Sequence, residues 1–503
     1  MAQDPPMPSF LTNFFKLTSG TVIGQAAAII LIPIVTRIYP PEFFGINQLF
    51  LSIAAVILVV SSLSYNFAIM VTESDEDSMN VLALCVLCAI SISAISGAIL
   101  VGFGDWFGSA LNTPLIVDYL IWLPIFVILG SLTEILDEWL SRKERYGIIA
   151  RSIVTNSVST RVFQIGGGLI HTSPLGLILG SVIGAGLSNL SRLRGLREDV
   201  ALVKAVTKDR MRDLAIRYRH FSFYASLGSL ANSMSWELPA FMLAYYFNPA
   251  IVGYYALAMM AIRLPMGIVG KSITQVFFQK ASEEKIQTGD VKNVVREIHT
   301  RLISIGIFPF VVFVILARDL FTFIFGANWL TAGTYAMILA PWIFTVFIIS
   351  PISSLFGVLD RQKAFFSFEI VTLCTWTILF FIGGTLGNPV VTLTLFSIGG
   401  TFIWGSKCAY LIMESEAGYR GSIHSLVKHL LLSVVITIPL MIGVYMELPF
   451  LLLLGIAGVT AVAYYLQIFF KDALIRKEVM RMIRGSVSPE HIEWMERLGL
   501  LQK

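Results

Sequence analysis

Fourteen consecutive residues, Arg151-Ser-Ile-Val-Thr-Asn-Ser-Val-Ser-Thr-Arg161-Val-Phe-Gln164, hold nine polar or charged side chains within a long apolar context. If that context crosses a bilayer, as the composition below requires, an arginine near its middle costs at least ~2.5–3.5 kcal/mol. Such a helix cannot turn every face to acyl chains and must line water or a polar partner. Arg151 and Arg161 bring planar guanidinium forks suited to phosphate, and Gln164 adds an amide one turn from Arg161. A second apolar run carries Arg263, about twelve residues (~18 Å) from its far end, with Lys271 deeper still. Lys271 is within reach of the headgroups by snorkelling, whereas Arg263 is too central for that. Arg37 closes the first apolar run, either as an interface anchor or as part of the site. The competing reading of these cations is internal pairing with Glu134, Glu237 or Glu369, which would only hold helices together. Deep cations in separate segments nonetheless point to an anionic guest; carboxylates alone would point to a cation or proton path. The candidate substrate-binding set is therefore Arg37, Arg151, Arg161, Gln164, Glu237, Arg263 and Lys271.

Other chemistries find no footing. The six His residues are scattered without ligand-like spacing, and no GxSxG, HExxH or P-loop occurs. No metal, cofactor, nucleotide hydrolysis or catalytic residue is expected. Cys85 and Cys88 form a CxxC inside an apolar run and read as buried small residues. The stripes Gly20-xxx-Gly24 and Gly176-xxx-Gly180-xxx-Gly184 read as close helix contacts, and Gly180-xxx-Gly184-x-Gly186 lacks the spacing of a dinucleotide fingerprint.

The elements that position these residues follow from composition. Of 503 residues, 56% are apolar and only 14% are charged, about half the charge a soluble protein carries. The mean hydropathy is +0.78. A soluble enzyme, a disordered chain and a disulfide scaffold are all excluded, leaving an all-α polytopic membrane protein. Runs long enough to cross fall at about 14–37, 43–65, 81–103, 116–137, 146–170 and 174–192. They resume at about 221–247, 251–277, 301–317, 334–358, 364–386, 390–413, 428–446 and 449–470, fourteen in all. The first run follows no basic segment and precedes no A-x-A-like cleavage site, so it is expected to stay as a span.

Orientation follows from Lys and Arg. One set of connecting segments and ends holds 30 of the 36, and the opposite set only Arg37 and Arg318. That count places Lys407 and Lys428 among the loop cations. Both termini are expected in the cytoplasm, with the protein in the cytoplasmic (inner) membrane. The tail 471–503 reads as amphipathic helix on anionic headgroups, with Ser488-Pro489-Glu490 as a helix start.

An internal repeat organises the spans. Tyr39-Pro-Pro-Glu-Phe-Phe-Gly45-Ile-Asn-Gln-Leu49 and Phe247-Asn-Pro-Ala-Ile-Val-Gly253-Tyr-Tyr-Ala-Leu257 share aromatic, Pro, Gly and Leu at one spacing, offset by 208 residues. The expected organisation is a cytoplasmic N-terminus 1–13, an N-lobe 14–192 and a basic linker 193–220. A C-lobe 221–413, two further spans in 414–470 and the tail 471–503 follow. Two-lobed transporters hold substrate near the midplane between repeats.

Several stretches resemble one family. Pro33-Ile-Val-Thr-Arg37-Ile-Tyr-Pro-Pro-Glu-Phe-Phe-Gly45 resembles the end of the first span in bacterial polysaccharide exporters. Ser64-Tyr65-Asn66-Phe67-Ala68-Ile69 with Asn80 is similar to their second-span exit, although relatives often carry Arg-Tyr-Glu where this chain has Ser64-Tyr65-Asn66. Arg263-Leu-Pro265-Met-Gly-Ile-Val-Gly270-Lys-Ser-Ile-Thr-Gln275 is similar to their eighth span, and Phe325-Gly326 to the loop before their tenth. The family is the lipid-linked oligosaccharide flippases of the multidrug/oligosaccharidyl-lipid/polysaccharide exporter superfamily. The resemblance implies two six-helix lobes in a V that open alternately to either side. It also implies a substrate made of a short O-antigen-like glycan on an isoprenoid pyrophosphate. Membrane lipids, a polysaccharide polymerase, chain-length machinery and a coupling ion (H+ or Na+) are the partners it brings; nucleic acid is not. The rivals are a peptidoglycan-precursor flippase, a cation-coupled multidrug exporter of the same superfamily and, more distantly, a membrane enzyme such as a polysaccharide polymerase. No external loop is long enough for the catalytic domain such an enzyme usually carries.

Overall fold

The computed structural model describes residues 7–265, Phe277, 281–287 and 289–471; of residues 7–21, 220–225 and 265 only the backbone is described. Lys271 and the tail from 472, with its expected helix start at Ser488, lie outside the described residues.

Proline begins many helices because its fixed φ suits the first turn and its missing N–H is not needed there. The first half contains α1 (Met7–Ile38), α2 (Pro41–Ser61), α3 (Asp75–Gly102), α4 (Leu123–Arg142), α5 (Tyr146–Ile170) and α6 (Pro174–Gly195). The second contains α7 (Lys208–Tyr246), α8 (Pro249–Pro265), α9 (Lys292–Phe325), α10 (Leu330–Ile349), α11 (Gln362–Thr385) and α12 (Pro389–Glu414). Last come α13 (Tyr419–Ile436), α14 (Ile438–Tyr445) and α15 (Phe450–Lys471). Side-chain caps fix several starts: Ser74 Oγ accepts from the Asp77 N–H at 3.1 Å, and Asn388 Oδ1 accepts from the Val390 N–H at 2.9 Å.

Among the described residues nine helices are long and apolar enough to cross a membrane, and α13 with α14, bent by 46°, makes a tenth candidate. The expected linker is largely helix, since α7 begins at Lys208 and runs without a break to Tyr246. Leu169, Phe402 and Val459 each leave more than two-thirds of their surface exposed, an outward apolar face that suits acyl chains.

Within the first half, α5 packs on α1 and α6, and α4 on α3 and α6. Within the second, α10 packs on α8, α9 and α12, while α11 packs on α7 and α12. The halves meet chiefly where α8 lies on α2 and where α7 lies on α2 and α3. One buried cluster joins them, from Ile32, Phe50 and Leu177 to Leu243, Trp329 and Trp342.

The two repeat turns meet each other. A Cβ added at Gly45 would lie 2.6 Å from the Pro249 carbonyl carbon, and one at Gly253 would lie 2.8 Å from the Pro41 carbonyl carbon. The contact is reciprocal, as residues related by a two-fold operation must make it. Around it, Trp329 Nε1–H donates to the Thr36 carbonyl (2.9 Å) and Asn112 Nδ2–H to the Phe247 carbonyl (2.7 Å).

Candidate functional site

A cavity of about 490 Å³ opens between α1, α2, α4, α5, α6 and α8. Its polar lining comes from Asn47 and Gln48 on α2, Thr133 and Glu134 on α4, and Asn156, Thr160, Arg161 and Gln164 on α5. From the second half, α8 contributes Ala256, Leu257 and Met260.

The polar run of the fifth apolar segment thus shares its faces between a neighbouring helix and the cavity. The glycine stripe of α6 makes this arrangement possible. A Cβ at Gly180 would lie 2.9 Å from both the Gln164 nitrogen and the Thr160 carbonyl oxygen; at Gly184 it would lie 3.1 Å from the Asn156 carbonyl oxygen. With no side chain on α6 at these positions, Thr160 and Gln164 of α5 lie against its backbone, and the two helices approach closely.

Arg161 Nη1–H donates to Gln164 Oε1 at 2.6 Å, and Gln164 Nε2–H donates to the Leu177 carbonyl at 3.0 Å. The Leu177 carbonyl orients the amide, and the amide then holds the guanidinium. No carboxylate lies within ion-pair distance of Arg161 among the described residues, although Glu134 lines the same cavity. Asn47 Oδ1 is buried without a hydrogen-bond partner among them.

The other candidates are dispersed. Arg263 lies one turn beyond Met260 on α8, with its guanidinium 4.3 Å from the Trp236 ring centroid. It is not among the cavity-lining residues, and no described carboxylate pairs with it directly. Glu237 Oε2 accepts from Ser52 Oγ–H at 2.5 Å, which ties α7 to α2. Arg37 donates to the Phe323 carbonyl at 3.3 Å and so ties α1 to the end of α9. Arg151 is exposed on α5, ten residues from Arg161 and away from the cavity. At Ser64-Tyr65-Asn66 the chain makes a tight turn, with Ser64 at φ 56° and Tyr65 Oη–H donating to the Ala215 carbonyl at 3.0 Å.

Two features escape a reading of the sequence alone. Asn47 and Gln48 stand inside the repeat motif, where they register only as repeat, although two polar neighbours in an apolar run are a signal. The other is a buried pair: Lys407 Nζ–H donates to Glu369 Oε1 at 2.6 Å, the two side chains being 3% and 5% exposed, and Asn232 donates to the same carboxylate. Lys407 therefore belongs to the interior of the second half rather than to a loop. Its ammonium also lies 4.5 Å from the Trp404 ring, beside a cluster of Trp236, Trp342 and Trp376. Cys85 is buried and free, in keeping with its reading as a small apolar residue, whereas Cys88, expected to be buried as well, is only half-buried.

The model of the family described as "Polysaccharide biosynthesis protein" matches residues 34–334, a range holding every cavity-lining residue except Ile32. No curated protein matches the chain. Among solved structures, "Lipid II flippase MurJ, inward closed conformation" is similar over 92% of this chain and 100% of that one, with TM-score 0.67 and 15% identity. An inward-facing multidrug resistance MATE family transporter of the MOP superfamily is similar over 79% and 95%, with TM-score 0.56 and 13% identity. A point mutant of the Vibrio cholerae MATE transporter VcmN is similar over 83% and 98%, with TM-score 0.53 and 11% identity. At these identities the likeness is one of fold.

Proposed function

The chain belongs to the polysaccharide biosynthesis protein family, and from that premise we propose that it is a flippase. It carries an isoprenoid-pyrophosphate-linked oligosaccharide across the cytoplasmic membrane by alternating access, for an O-antigen-like surface polysaccharide. The observation that carries this reading is the cavity in which Arg161, held by Gln164, faces polar side chains of α2 and α4 with no ion-pair partner among the described residues.

Physical chemistry says what such a cavity is for. A glycan pyrophosphate crossing unaided would drag hydroxyls and about two charges through hydrocarbon, which polar groups resist strongly. A guanidinium in a confined site offers phosphate a fork of donors and replaces its lost hydration. Asn47, Gln48, Asn156 and Thr160 suit sugar hydroxyls. Arg263, one turn beyond the cavity on α8, meets the phosphates once the halves shift; Arg37, Arg151 and Lys271 are secondary members of the set. The repeat supports two lobes, 14–192 and 221–413, that rock together and apart at the reciprocal glycine contact. Glu134 is the group suited to a coupling proton or sodium ion. No bond is made or broken in the cycle. The flipped repeat unit then passes to a polymerase.

The test uses proteoliposomes loaded with a fluorescent isoprenoid-pyrophosphate oligosaccharide that an added glycosidase can reach only in the outer leaflet. Wild-type protein makes the inner pool accessible, Arg161→Ala abolishes this at normal protein abundance, and Arg161→Lys restores part. Transport of lipophilic cations with no movement of the glycolipid would overturn the reading in favour of a drug exporter.

A further inference from the structure

A second pocket, of about 340 Å³, lies apart from the central cavity, between α9, α13 and α15. Its wall carries Arg301, Lys428, Lys471 and His429, with the hydroxyls of Thr300, Ser304 and Ser425 between them. Arg301 is partly offset by Glu297 one turn away (2.9 Å), whereas neither Lys428 nor Lys471 forms an ion pair among the described residues. His429 engages the Ser425 carbonyl at 2.8 Å and so is held at the pocket wall. The pocket is prebuilt: Tyr464 Oη–H donates to the Ser304 carbonyl (2.7 Å) and Tyr465 Oη–H to the Ile305 carbonyl (3.0 Å), fastening α15 to α9.

Three cations around one concavity recognise an oxyanion with several acceptors, while the Thr300 and Ser304 hydroxyls donate to the Arg296 (2.7 Å) and Arg301 (3.0 Å) carbonyls of their own helix. What lies beside them says what carries that anion. Leu431 on α13 and Leu466 and Phe470 on α15 are all about half or more exposed, and Leu432 and Ile468 line the pocket itself. A cationic pocket bordered by apolar helix faces fits a headgroup with its acyl chains running along those faces, as basic pockets between spans do at membrane surfaces. We propose that α9, α13 and α15 form a binding site for the phosphate of an anionic membrane phospholipid. The site gives the last helices a task separate from the central cavity: they are held to α9 through a lipid as well as through the two tyrosines.

The full-length protein, purified in a neutral detergent, is titrated with phosphatidylglycerol, with phosphatidylcholine and with inorganic phosphate while its unfolding temperature is followed. Phosphatidylglycerol should raise the unfolding temperature, and the other two should not. In Lys428→Gln/Lys471→Gln the shift should be lost, with apparent affinity falling about fivefold per cation removed. Lys428→Arg/Lys471→Arg should keep it, which separates lost charge from damaged folding. An equal phosphatidylglycerol effect in the glutamine variant would overturn the site. Stabilisation by inorganic phosphate alone would overturn the lipid as its ligand, and so would an equal effect of phosphatidylcholine. An isoprenyl pyrophosphate that displaces phosphatidylglycerol stoichiometrically from this pocket in the Arg161→Ala protein would reassign the site to the transported lipid.

Discussion

Replacing Gly253 by alanine tests how the two halves are held. The new methyl carbon would lie 2.8 Å from the Pro41 carbonyl carbon and 3.0 Å from the Gly45 nitrogen. Ordinary carbon contacts sit near 3.5–4.0 Å and the Pro41 carbonyl oxygen is nearer still, so the start of α8 must retreat from that of α2 by at least about 1 Å. Both neighbours are helix backbone, and neither can rotate away as a side chain would. Overpacking of this kind costs about 1–3 kcal/mol. That cost falls only on the state in which α2 and α8 touch. If the halves rock apart at this end, the population of the touching state falls roughly 5- to 150-fold relative to the open one. The assay replaces the four native cysteines, places one cysteine at Thr133 in the cavity wall, and adds a membrane-impermeant maleimide to spheroplasts. Labelling should rise at least severalfold in Gly253→Ala and in Gly45→Ala. Gly458→Ala is the control, because nothing lies within 4 Å of its added Cβ; it should change nothing. Unchanged labelling in folded, abundant Gly253→Ala protein would refute the idea that this contact closes the cavity at the Tyr39 end.

Other outcomes follow from single contacts. Lys407→Met leaves Glu369 buried without its cation and should destabilise the protein by about 3–5 kcal/mol in a detergent unfolding series, while Lys407→Met/Glu369→Leu recovers much of the loss. Glu134→Gln should uncouple glycolipid movement from an imposed proton or sodium gradient while leaving substrate-induced stabilisation intact; transport that still follows the gradient would remove Glu134 from that role. A cysteine at Ala205 should stay unlabelled from outside intact cells and one at Ser109 should label; the reverse would invert the orientation drawn from the Lys and Arg count.

Much of this protein is legible before any coordinates. Low charge and long apolar runs force a helical membrane protein, because an unpaired backbone amide has no partner in hydrocarbon. The same rule singles out Arg161: a guanidinium at that depth needs a polar site, and the polar residues beside it on α5 show where. The repeat of Tyr39–Leu49 in Phe247–Leu257 is also visible, since proline and glycine mark helix starts and close approaches wherever they recur.

Tertiary structure alone decided which deep charges share a site. Sequence spacing fixes neighbours within one helix, so Arg161 and Gln164 were joined in advance. It says nothing about which face of α8 meets α2. Arg263 therefore stands over Trp236, and Met260 takes the cavity wall. Glu369 could have paired with either arginine, but α11 and α12 pack so that Lys407 reaches it first. Arg37, at the end of α1, answers a carbonyl of α9 some 286 residues away. Each of these outcomes depends on helix rotation and crossing, which are set by where small residues let backbones approach. The stripe Gly176-Gly180-Gly184 announced such an approach; only the folded chain showed that its partner was the polar face of α5.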